Sequence, residues 1–91
     1  MQPDPHAVDF AHALSALKSG AAYAIRRAGW NGAGLMVKLH RPDAGDRMTL
    51  PYLFIEYPPT AKTTPGARCP WLASQTDILA DDWYVVTALE G

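Results

Sequence analysis

The segment DFAHALSALKSGAAYAIRR, residues 9–27, changes its periodicity part-way along, and that change decides the fold class. Phe10, Ala13, Leu14 and Leu17 recur at helical spacing. Asp9 can cap the free N–H groups ahead of them, Lys18 suits the negative end of the helix dipole, and Gly20 supplies a left-handed exit. These features predict an amphipathic helix over Asp9–Ser19. From Ala22 to Arg27 the spacing falls to two, with Tyr23 and Ile25 alternating against Ala24 and Arg26, the pattern of a strand.

Working outward, Gly29-Trp30-Asn31-Gly32-Ala33-Gly34 is turn chemistry, since Asn-Gly accepts the positive φ values of a hairpin. Leu35 to His40 alternates again, so a β-hairpin across Trp30–Gly34 is expected. Arg41 to Asp46 reads as a polar loop, and the apolar, aromatic run Met48–Tyr57 as a third strand ended by Pro58 and Pro59. Thr60 to Arg68 reads as a flexible connector, and Pro70-Trp71-Leu72 opens the last section. Ser74-Gln75-Thr76-Asp77 has the spacing of a capping box ahead of Ile78, Leu79 and Ala80. One or two helical turns follow from it, too few to be stable without packing. Trp83–Val86 closes the chain as a strand. Upstream, residues 1–8, with Pro3 and Pro5, read as a flexible leader, leaving 9–91 as a single domain. The order of elements implies an α+β fold: a small antiparallel sheet with an N-terminal amphipathic helix and a short C-terminal helix.

Composition narrows the function. Eight Lys+Arg against nine Asp+Glu give a net charge of −1, which argues against nucleic-acid binding, because that affinity comes from many phosphate-neutralising cations. No apolar run approaches a membrane span. The single cysteine, Cys69, cannot form an internal disulfide, and an intracellular protein is the simplest reading. Three Trp and four Tyr are the surplus worth following, for indoles serve cores, interfaces and base-stacking pockets alike.

Each candidate chemistry has a plainer counterpart. His6, His12, His40 and Cys69 lack the paired spacing of metal ligands, so no metal site is expected, and Cys69 reads as a buried, inert thiol. Asp77, Asp81 and Asp82 could act as paired acid–base carboxylates with a metal, a hydrolase reading. Alternatively Asp77 stabilises a helix N-terminus, while Asp81 and Asp82, poorly sited at a helix C-terminus, call for a cation such as Arg26 or Arg27, a partner chain or a ligand. The Trp30–Gly34 stretch is either a hairpin turn or a place where glycines admit a ligand to the backbone, Trp30 offers a π-face and Asn31 reads a base edge. Trp83 reads as core, whereas Trp71 stays open between core and pocket. A third reading has the tryptophans meeting another protein.

Three segments together resemble a family: Phe10-x-x-Ala-Leu-x-x-Leu-Lys-x-Gly20, Arg27-x-Gly-Trp-Asn-Gly32 and Pro70-Trp-x-x-Ser-Gln-Thr-Asp-x-Leu-Ala-x-Asp-Trp83. The chain is similar to the small phage-encoded anti-Thoeris proteins of the second type. The resemblance implies a non-enzymatic sponge, without cofactor, that sequesters a glycocyclic ADP-ribose signal made by a TIR-domain enzyme, in the cytoplasm of the infected bacterium. It further implies a homotetramer holding the cyclic nucleotide where protomers meet, and some members also hold cyclic dinucleotides at a separate site. Carried over by position, Trp30 and Trp71 would stack on adenine, and Asn31 and the Gly32 backbone would bond base or ribose. Arg27 would face the pyrophosphate, and Ser74 with Asp77 would bond ribose hydroxyls or brace the loop. Ala33 departs from the pattern, standing where similar proteins commonly have a lysine.

Overall fold

The computed structural model describes residues 6–30 and 34–87. Helix α1 spans Phe10–Ser19, capped by the Asp9 carboxylate, which accepts from the His12 N–H, and ended by Gly20 in the left-handed region at φ 86°. A glycine there avoids the strain that a Cβ would meet. Five strands follow: β1 Ala24–Arg27, β2 Met36–His40, β3 Tyr52–Glu56, β4 Arg68–Pro70 and β5 Trp83–Val86. A second helix, α2, covers only Gln75–Leu79. The strands form one antiparallel sheet in the order β4-β3-β2-β1-β5, so the expected α+β fold is the one observed. The interior strand β1 is completed on one side by β2 and on the other by β5, the last of the described strands and an edge of the sheet.

Register sorts the side chains onto two faces. Ile25 lies opposite both Val37 and Val85, and Val37 opposite Ile55, which lines these residues along the inner face. There α1 lays down Ala13 and Leu17, and with Ala22 and Trp83 they make the buried core. On the outer face the Lys38 ammonium donates to Glu56 at 2.8 Å and to the Tyr23 hydroxyl at 2.8 Å, while Arg68 donates to the other Glu56 oxygen at 2.7 Å. The bonds from Lys38, then from Arg68, hold the Glu56 carboxyl below its usual range despite some burial. Burial presses the Lys38 amine downward, but its two partners more than offset this and leave it raised.

Three departures from the sequence reading have simple causes. A strand not expected from the sequence, β4, begins where the connector ends, at Arg68; it is three residues long and paired only with β3. A sheet edge is where a residue such as Pro70 is tolerated, and three residues carry no periodic signal. The third strand begins at Tyr52 rather than Met48, because Met48 and Leu50 are exposed and Pro51 precedes the ladder. Between β1 and residues 31–33, Ala28–Trp30 forms a 3-10 turn rather than running directly into a hairpin loop. Cys69, expected to be buried, is exposed on β4. At the other end of the fold, Val8 pairs with Trp83 through two backbone hydrogen bonds, one residue ahead of the expected start of the domain.

Candidate functional site

Four aromatic rings meet above the inner face at the β5 side of the sheet. Trp83 lies at the bottom, fully buried at 0% exposure. Phe10 from α1 packs against it at 5.2 Å between ring centroids, Trp30 at 5.5 Å and Trp71 at 6.0 Å. Trp30 and Trp71 are half-buried and meet edge to face at 6.4 Å and 74°. Such T-shaped contacts put the positive edge of one ring on the negative face of the next. The two tryptophans singled out in the sequence, 41 positions apart, therefore belong to one cluster. Both keep part of their surface open to solvent.

Beside the rings is a polar lattice centred on Asp77. The Arg27 guanidinium donates from Nη1 to Asp77 Oδ1 and from Nε to Asp82 Oδ1, each at 2.9 Å. Ser74 and Asp77 form the expected capping box: Asp77 N–H donates to Ser74 Oγ at 3.1 Å, and Ser74 N–H to Asp77 Oδ2 at 3.1 Å. The buried Trp83 indole then donates to the Asp77 carbonyl at 2.8 Å. Burial pushes the Asp77 carboxyl upward, but the bond from Arg27 and those from Ser74 outweigh it, leaving the group below the usual carboxylate range. Arg27 is raised above its ordinary value, first by its bond to Asp82 and then by that to Asp77. Of Asp81 and Asp82, the two aspartates that called for a cation, Asp82 is taken by Arg27, which holds Asp77 as well.

This arrangement brings Arg27, Ser74 and Asp77 into one bonded group and Trp30 and Trp71 into one aromatic group, joined through Trp83. Asn31 and Gly32 lie outside the described residues. Gly34, just beyond them, sits at φ 75°, where a Cβ would come within 3.0 Å of the Pro58 ring, so the return into β2 is seated on the β3–β4 connector. Sequence reasoning assigned Trp83 to the core alone and did not foresee that its indole N–H ties that core to α2. The only signal for it was the hydrogen-bonding need of any buried tryptophan. Among the described residues, no three His, Cys, Asp or Glu side chains gather as metal ligands, and no helix is long and apolar enough to cross a membrane. An open cavity of about 300 Å³ lies elsewhere, on the outer face between His40, Tyr52, Phe54 and Arg68. His40 there pairs with Asp46 at 3.1 Å.

Comparison with known proteins returns a consistent answer. The family model of the Thoeris anti-defense 2-like domain (Tad2-like) matches residues 8–86, the whole sheet and both helices. Thoeris anti-defense 2 of Bacillus phage SP01 is 32% identical over 93 residues, an alignment that takes in 88% of this chain and 96% of that protein.

Proposed function

The chain belongs to the Tad2-like family, and from that membership we propose that it sequesters the cyclic adenine-nucleotide messenger of Thoeris defence, a glycocyclic ADP-ribose, without cleaving it. The family membership supports an anti-Thoeris role for a phage protein acting inside the host cell. The step from that role to capture of a nucleotide is our own reading. The observation that carries it is the pair of half-buried indoles, Trp30 and Trp71, leaning on a common buried ring. Half-buried indoles are rigid, apolar on their faces and still reachable, which is what stacking on an adenine ring requires.

In this reading Trp30 and Trp71 hold the base, Asn31 and the Gly32 backbone bond base or ribose, and Arg27 is the cation nearest the diphosphate. Ser74 and Asp77 brace the wall of the site. A nucleotide held tightly needs most of its surface covered, and a chain of 91 residues has little room for such a cleft within one copy. Assembly into a homotetramer with the messenger between protomers supplies the missing walls. The rival reading, a metal-assisted hydrolase using Asp77, Asp81 and Asp82, has less behind it, since Asp77 and Asp82 are turned onto Arg27.

The test is direct. Purified protein is mixed with glycocyclic ADP-ribose, freed of unbound ligand, heated to unfold it, and the released small molecules are weighed by mass spectrometry. Intact messenger is expected. Cleaved products would identify a hydrolase, and no retained nucleotide would leave the tryptophans to a protein partner. Trp30→Ala should abolish retention while the oligomer, measured by light scattering, stays the same size; a variant that binds normally would make Trp30 purely structural.

A further inference from the structure

Among the described residues of the proposed site, Asp77 is bonded in three directions at once. One carboxylate oxygen receives Arg27 and the other the Ser74 amide, while its carbonyl receives the Trp83 indole. A carboxylate holding four lone-pair directions, with two taken by charged or amide donors and its side chain 15% exposed, has little left to offer a ligand. What it can do is fix its neighbours. The Arg27 side chain has many rotamers of its own and is held in one by the two aspartates. Trp83 is the ring on which both Trp30 and Trp71 rest, so its orientation sets theirs.

Resting on the sequestration reading, we propose that Asp77 is the positioning residue of this site: it orders the cationic and the aromatic walls before a nucleotide arrives and makes no contact with it. Binding to walls already in place avoids the cost of ordering side chains on association, which is how a residue that touches nothing in the ligand raises affinity. Asp77 lies in α2, a helix with no fully buried residue, so the place of α2 beside the rings depends more on these bonds than on packing.

Asp77→Asn tests this, because it keeps an acceptor for the Ser74 amide and leaves the carbonyl in place while removing the charge that holds Arg27. Affinity for glycocyclic ADP-ribose is measured by calorimetry well below the melting temperature, and the near-ultraviolet circular dichroism of the indoles is recorded without ligand. We expect a roughly ten-fold weaker Kd, together with an indole signal already altered in the free protein, because loss of the Arg27 bond loosens α2 and shifts the Asp77 carbonyl to which the Trp83 indole donates. Asp9→Ala, which removes the cap of the other helix, serves as a control for lost stability alone and should keep the wild-type Kd. A variant with unchanged Kd overturns the proposal. So does a weakened Kd with an unchanged indole spectrum, which would make Asp77 a direct ligand contact. If the wild-type protein takes up no messenger, the sequestration reading fails instead, and the indole spectrum still reports whether Asp77 orders Arg27 and the rings.

Discussion

The two helices of this domain are held to the same sheet by different forces. Helix α1 sits on its core through Ala13 and Leu17, with a cap at each end, and its stability is largely apolar burial. Helix α2 has no fully buried residue: Ile78 is 48% exposed and Leu79 76%. It is five residues long and persists through its capping box, the Arg27 guanidinium and the Trp83 indole. The contrast teaches where the molecule can change without unfolding. Burial is non-directional and tolerates small shifts, whereas a lattice of charge-assisted bonds is either made or broken. A wall of the proposed site built on the second kind can be retuned by a single residue while the sheet stays whole.

The largest effect is expected where the two kinds of support meet. Trp83→Ala removes the fully buried ring of the core and the donor to α2 together, and should cost about 3–5 kcal/mol in urea unfolding. A loss below about 1 kcal/mol would mean that the ring is not structural at all. Next comes Arg27→Met, which fills similar space without charge and leaves Asp77 and Asp82 facing each other. About 1–3 kcal/mol is expected, with hydrogen exchange speeding up in α2 and remaining slow in α1. Equal acceleration in both helices would erase the distinction drawn between them.

Acid separates the two regions more gently. Asp77 is lowered in the folded protein, so the stability it contributes is complete above its unfolded value near pH 4 and is lost as pH falls through the lower folded value. Glu56 behaves in the same sense, and Arg27 stays protonated throughout. Stability should therefore decline below about pH 4, and exchange in α2 should rise before that in α1; Asp77→Asn should flatten part of the slope. The smallest effect is reserved for Leu79→Ser, expected within about 0.5 kcal/mol in the isolated chain because the side chain is already wet. A larger loss, growing with protein concentration, would instead reveal that Leu79 is covered in an assembly.

What could be read from the residues follows the same division. Helix α1, the capping box at Ser74–Asp77 and the strand Trp83–Val86 were legible because their signals are local, a period or a spacing within a few positions. The charge argument even demanded a cation near Asp82, since acidic residues at a helix C-terminus are unfavourable. Which arginine answered it was not legible: Arg27 lies 50 and 55 positions from its two partners, and only the β1–β5 pairing brings them together. Strand β4 was hidden for a related reason, as its three residues are defined by β3 rather than by themselves. The convergence of Trp30 and Trp71 likewise depends on Trp83, whose role looked complete as core packing.

The pairing of β1 with β5, reinforced by the bridge from Val8 to Trp83, also sets a schedule for synthesis. Until the stretch through Val86 has left the ribosome, Ala24–Arg27 is a raw edge with half its ladder unfilled, and edges of that kind recruit foreign strands. Maturation of each copy must wait for the final strand, so a translation product halted before Trp83 would be a candidate for aggregation or degradation rather than a partly working inhibitor.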